Sequence, residues 1–235
     1  MTPTPTKFCR FELRTTDAEA ARAFYANILG HDRAVIWTLH EQARARGAPP
    51  HWLGTLGTTD VEGATAAFVD RGAMQLAPMR PTGDGGRTVI LRDPGGAVVA
   101  LATPPPAHAQ PRIDVAWHVL HTNDVARATA NYQEIFGWRL TDRTELGAHG
   151  AFQQFAWDSH GVSVGAIADV AARPGIHPHW LFFFEVDDLQ TAIAATRATG
   201  GVATDPIVLP SGERLGVCDD PQGAAFALRE RRRAA

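Results

Sequence analysis

The sequence is poor in cysteine, with only Cys9 and Cys218 among 235 residues. Two are too few for a disulfide framework, which points to a reducing compartment. Charge of one sign is also scarce: the formal net charge is −3. No field is available for gripping a phosphate backbone, so nucleic acid is not an expected partner. The one basic cluster, Arg229, Arg231, Arg232 and Arg233, reads as a solubilising tail. Apolar runs such as Leu181 to Phe184 are too short to span a bilayer. The opening residues, MTPTPTK, carry no apolar stretch of the signal-peptide kind. These absences predict a globular cytoplasmic protein with no membrane partner and with length enough for a real core.

What is present is repetition. Four helix starts share one signature: Thr16-Asp17-Ala18-Glu19, Thr59-Asp60-Val61-Glu62, Asn123-Asp124-Val125-Ala126 and Asp187-Asp188-Leu189-Gln190. The first residue of each reads as the N-cap and the Asp as the first helical residue, with Thr16 and Thr59 opening capping boxes. The helices bury one stripe, Ala20, Ala21, Phe24 and Ile28 in the first and Val125, Ala128, Tyr132 and Ile135 in the third. They stop at Gly30, Gly72, Gly137 and Gly200, where glycine takes the left-handed conformation. Strand-like runs flank every helix: Cys9 to Arg14, Trp52 to Leu56, Val115 to His121 and Trp180 to Val186 before them. Thr88 to Leu91, Ala97 to Leu101, Phe152 to Trp157, Val162 to Ala166 and Ala224 to Leu228 come after. Asp93-Pro94-Gly95-Gly96 and Asp220-Pro221-Gln222-Gly223 have the make-up of type I turns closing hairpins.

Asp60 to Asp124 and Asp124 to Asp188 are each 64 residues, whereas Asp17 to Asp60 is 43, a deficit of 21. The deficit lies between Gly30 and His51 and equals about one hairpin of ordinary strands. The predicted fold class is α+β. Four βαβββ modules pair into two cup-shaped mixed-sheet domains, with helices on the convex faces and the first module shortened. The domains are expected over 1–103 and 113–235, joined by the Pro-rich linker 104–112.

This pattern resembles the vicinal oxygen chelate superfamily, which includes glyoxalase I, bleomycin-resistance proteins and extradiol dioxygenases. The Asp17-to-Tyr25 and Asp124-to-Tyr132 segments, each followed by Gly30 or Gly137, carry the resemblance. So do the two Asp-Pro-x-Gly turns and the paired Pro50-His51-Trp52 and Pro178-His179-Trp180 elements. The resemblance implies a ligand or a divalent cation inside a cup. The cation would be held by His, Gln or Glu seven residues before each helix-start Asp and seven after the turn Asp. Those positions here are Arg10, Leu53, Trp117, Leu181, Ala100 and Ala227. None supplies a metal donor, so no cofactor is expected and a divalent metal is disfavoured.

Other residues are candidates for the lining. On the first strand Arg10, Glu12 and Arg14 alternate with Cys9, Phe11 and Leu13, so the charged row faces the first cup. It reads either as an anion or base site or as a solvated, mutually screened charge row. In the second cup Trp117, Val119 and His121 share a face, joined by Leu181, Phe183 and Glu185, with Phe152, Phe155 and Trp157 as candidate walls. That mixture suits a small-molecule pocket, and equally a plain core. Glu185, His121 and Glu12 are the candidate proton carriers. His118, Tyr25 and Tyr132 read as core, and His51 and His179 as fixing the approach to a strand. Thr38 to Arg46 reads as a short helix capping the first cup, with Trp37 just before it. The expected function is metal-independent binding of a small aromatic or amphipathic metabolite, sequestering or sensing it, by a monomer or homodimer. The alternative is a glyoxalase-like lyase or isomerase, or a dioxygenase, with a non-standard site.

Overall fold

A computed structural model describes residues 6–31, 33–105, 113–147, 150–158 and 161–231. Most of the predicted linker and the end of the basic tail, with Arg232 and Arg233, lie outside the described residues. The first module is β1 (Lys7–Thr15), α1 (Ala18–Leu29), β2 (Val35–Thr38) and α2 (Glu41–Ala45). The second is β3 (His51–Gly57), α3 (Val61–Asp70), β4 (Met74–Gln75), β5 (Arg80–Pro81), β6 (Arg87–Arg92) and β7 (Val98–Ala102). The third is β8 (Val115–Thr122), α4 (Val125–Phe136), β9 (Arg139–Glu145), β10 (Ala151–Ala156) and β11 (Gly165–Asp169). The fourth is β12 (His179–Val186), α5 (Leu189–Ala198), β13 (Val202–Ala203), β14 (Ile207–Val208), β15 (Arg214–Asp219) and β16 (Ala225–Glu230).

The caps sit one residue later than the sequence suggests. Asp17, Asp60, Asp124 and Asp188 are themselves the N-caps, accepting from the amides of Ala20, Gly63, Arg127 and Thr191 at 2.8–3.0 Å. Where Thr or Asn precedes it, the charged carboxylate is the stronger acceptor for an orphan amide and also meets the positive helix end, so the Asp outcompetes its neighbour; before α5 the neighbour is Asp187, which pairs with Arg231 instead. Gly30 and Gly137 close α1 and α4 with φ of 71° and 74°, where a Cβ would be strained. The buried stripe of α4 includes Phe136 in place of Ile135.

The modules build two open mixed sheets. One runs β2-β1-β3-β7-β6-β4, with β5 on β6; the other runs β13-β15-β16-β12-β8-β11-β10-β9, with β14 on β15. In each module the first strand has the last strand as a parallel neighbour: β1 with β2, β3 with β7, β8 with β11 and β12 with β16. This rule locates the deletion. The first module keeps its terminal strand β2 and lacks the hairpin that β9 and β10 form in the third. Two local expectations need correction. The run predicted at Val162 begins as a strand only at Gly165, and Val162 is 77% exposed. Of the three strands expected after α4, the first, β9, has no predicted run; it is an edge strand with largely polar sequence whose one neighbour in the sheet is β10.

By contact the chain divides into two compact units that interleave the modules. The first comprises Met1–Arg10, Gly54–Gln110 and His118–Trp180; the second comprises Phe11–Leu53, Pro111–Trp117 and Leu181–Ala235. In the first unit α3 packs on α4, and in the second α1 packs on α5. Each unit holds the same buried constellation. In the second unit the Tyr25 hydroxyl donates to Asp220 at 3.2 Å and accepts from the Trp52 indole at 2.9 Å. Asp220 also accepts the amides of Gln222 and Ala224, which sets the hairpin turn. In the first unit Tyr132 donates to Asp93 at 3.3 Å, and Asp93 accepts the amide of Ala97 at 2.9 Å. Trp180 packs edge-on against Tyr132 as Trp52 does against Tyr25, with ring centroids 5.6 and 5.2 Å apart. Both tyrosines are the core anchors the sequence predicts, at 0% and 1% exposure.

Replacing either tyrosine by Phe keeps the ring but strands a buried carboxylate oxygen. Tyr25→Phe and Tyr132→Phe are each expected to destabilise by about 1–3 kcal/mol. The measurement is the midpoint of urea unfolding; an unchanged midpoint in both variants would contradict the account.

Candidate functional site

In the second unit, the charged row of β1 is a buried contact. Glu12 is 8% exposed, and the Arg14 guanidinium donates to it at 2.6 Å. A solvated charge row is therefore not what forms. The parallel register sets Val35 beside Glu12 and Trp37 beside Arg14. Because β2 is an edge strand, the Trp37 side chain remains 53% exposed. The predicted helix after it is shorter than expected, Glu41–Ala45, with the His40 ring as its N-cap. Arg10 lies on the first-unit stretch of β1, half-buried and within electrostatic reach of Asp84.

The same unit carries a second candidate face, on β12, β16 and β15. Register aligns Phe183 with Ala227 and Val217, and Glu185 with Arg229 and Leu215. Leu181 and Phe183 are buried and Trp117 is half-buried, so one end of the strip is apolar. The other end is charged. Arg229 pairs with Glu213 and donates to the Ala116 carbonyl, while Glu185 is exposed and pairs with Arg231 at 3.3 Å. Glu185 is thus committed to a cation rather than to His121.

His121 belongs to the first unit, where its Nδ1 lies 3.4 Å from Nε2 of His179. The Nδ1 of His179 is 2.8 Å from the His177 carbonyl, and His51 makes the same contact with the Pro49 carbonyl. Burial first, then the charges of His179, Arg173 and His177, push His121 down to about 3. His121 therefore stays neutral near pH 7. His179 is the partner that sequence reasoning reduced to a structural role. Its shared strand parity with Leu181 and Phe183 was the available signal.

Trp157 does not join a row with His121. Phe155, opposite Gly165 and thereby His118, stacks on Trp138 at 4.4 Å, and Trp157 meets Phe8, His118 and Trp138 at 4.9–5.9 Å. Trp138 in turn stacks on Tyr132 of α4. Trp157 follows the end of β10 and falls with Phe155 into this aromatic core, while Phe152, opposite Ala168 and hence His121, takes the other face. His118 is core, as predicted: its Nδ1 donates to the Val164 carbonyl at 2.8 Å and its ring stacks on Phe8.

The six positions at which a cation would be held carry no side chain that a cation needs. Leu53, Leu181, Ala100 and Ala227 are buried hydrocarbon at 0–3% exposure, Ala227 lying against Phe183 in register. Trp117 offers an indole and Arg10 a positive charge. These side chains do not fit a divalent ion. Among the described residues no group of three or more His, Cys, Asp or Glu is arranged to hold one.

Residues 114–228 match the family model of the Glyoxalase/Bleomycin resistance protein/Dioxygenase superfamily. That match spans just under half of the chain, and the fold of the whole is the two-domain vicinal oxygen chelate fold. It is 29% identical to "Putative glyoxylase CFP32" of Mycobacterium bovis, over 92% of each chain. It is 26% identical to the anthracycline biosynthesis protein DauV of Streptomyces sp. (strain C5), over 80% of this chain and 68% of that one. Its fold is similar to that of the 2,3-dioxygenase LapB from Pseudomonas sp. KL28. That match has a TM-score of 0.64 at 14% identity and covers 98% of this chain and 94% of that one.

Burial holds His118 at about 4, below its ordinary 6.5, so the folded state keeps it neutral where the unfolded chain takes a proton. The contribution is complete above pH 6.5 and is lost as pH falls through the interval towards 4. Stability measured by urea unfolding is expected to fall across that interval. His118→Asn should flatten the slope by about one proton, and an unaltered slope would contradict the assignment.

Proposed function

We propose that the protein binds a small aromatic or amphipathic molecule through its own side chains, without a protein-held cation, and sequesters or senses it. The observation that carries this reading is the chemistry at the fold's cation-holding positions, where hydrocarbon, indole and guanidinium stand in place of donors. Apolar rows that end in a few fixed polar groups support it further, since they are the usual lining of a small-molecule site. The strip from Trp117 and Phe183 to Arg229 and Glu185 is one such row. The name of DauV ties one relative to anthracycline biosynthesis. A second reading, a lyase or isomerase of the glyoxalase kind or a dioxygenase, is favoured by the name of the mycobacterial relative. On that reading His121, Glu12 or Glu185 would carry the proton.

A ligand that binds only the folded state raises its melting temperature. In a thermal-shift screen of aromatic metabolites and aromatic antibiotics, at least one compound class is expected to raise the midpoint. Trp117→Ala and Phe183→Ala should abolish the shift for that class. A broad panel that leaves the midpoint unmoved would overturn the binding reading. Conversion of an added α-ketoaldehyde–thiol adduct or catechol would favour the enzyme.

A further inference from the structure

The histidine pair in the first unit fixes the hydrogen-bonding character of one ring nitrogen of the half-buried His121. A backbone carbonyl only accepts, so the His179 Nδ1 that lies 2.8 Å from the His177 carbonyl carries the proton. A neutral imidazole has one N–H, so Nε2 of His179 is bare. His121 Nδ1, 3.4 Å from that bare nitrogen, must then be the donor. The proton of His121 is thereby spent on Nδ1, and its own Nε2 is left as a lone pair. Burial depresses both histidines below their ordinary value, which keeps both rings neutral and the assignment single-valued.

The strand alternation shows where that lone pair lies. Trp180 packs on Tyr132 of α4, so the preceding His179 projects from the opposite face of β12, and His121 meets it there. Register continues the row from His121 through Ala168 to Phe152, a methyl and an aromatic ring beside the imidazole. Arg173 lies within electrostatic reach of His121, and the His177 ring stands 5.2 Å from that of His179. A ligand facing this atom must donate. A carbonyl or carboxylate oxygen would set lone pair against lone pair, and an ammonium is opposed by Arg173. A hydroxyl whose oxygen gains negative charge as it donates is favoured by the same guanidinium.

We propose that this site takes a small aromatic molecule bearing a weakly acidic hydroxyl, a phenol or an enol, whose O–H donates to Nε2 of His121. His179 is the positioning residue that fixes the tautomer. The inference rests on the binding reading above and adds to it a site in the first unit with the chemical class of its ligand.

Two measurements on the full chain test it. Long-range ¹H–¹⁵N correlation spectra of histidine-labelled protein should show His121 protonated at Nδ1 and bare at Nε2. In His179→Phe that preference should be lost while the protein stays folded. A His121 proton on Nε2 in the parent chain would overturn the proposal without any ligand. The second measurement uses 1-naphthol, 2-naphthol and 2-hydroxyanthraquinone against their methyl ethers, with 1-naphthoate and 1-naphthylmethylamine as acid and amine controls. At least one hydroxyl compound should bind about tenfold more tightly than its ether, and His179→Phe should shrink that ratio. Equal binding of hydroxyl and ether, or binding of the acid or amine alone, would overturn this inference and leave the binding reading standing. Failure of every compound, here and in the wider screen, would overturn both.

Discussion

Each half of the architecture depends on one buried hydrogen bond, from a helix tyrosine to the aspartate that opens a hairpin turn. Tyr25 reaches Asp220 and Tyr132 reaches Asp93, so a helix of one module is tied to the turn of another. Neither partner can be removed alone without leaving a polar group in an apolar interior. Burial pushes the Asp93 carboxyl up to about 6, a measure of how little water reaches it. The same aspartates organise their turns through backbone amides, and the turns deliver the terminal strands β7 and β16. Ala100 and Ala227 sit on those strands, so the bond that builds the core also sets the register of the candidate site.

The duplicated helix starts and the two Asp-Pro turns made the four modules legible, because capping and turn chemistry are local and need specific residue types. The length deficit in the first module was legible too, but not which strands had gone. That follows only from the parallel partner of β1, a contact no single strand's sequence records. The cap shift from Thr16 to Asp17 is a competition between two adjacent acceptors, decided by charge. β9 escaped because an edge strand with one neighbour needs no apolar alternation.

The site was less legible than the scaffold, for a physical reason. Strand parity assigns a face but not a partner. It set Glu12 and Arg14 on one face without showing that they bond to each other. It gave no sign that Arg231 holds Glu185, or that His179 stands 3.4 Å from His121. Trp157 followed the parity of Phe155 into the aromatic core, although a tryptophan at a strand end looks like a wall in sequence. Losing the outer hairpin had a further consequence: it made β2 an edge and left Trp37 exposed beside Arg14.

Hydrocarbon at the positions where a chelating protein of this fold would hold its cation is the feature that separates this chain from a chelating one. Anomalous diffraction from crystals of the natively purified protein, collected at the Mn, Fe, Ni and Zn edges, examines that feature directly. No ordered peak is expected near Trp117, Leu181 and Ala227. A peak held there by three or more protein atoms would contradict the account.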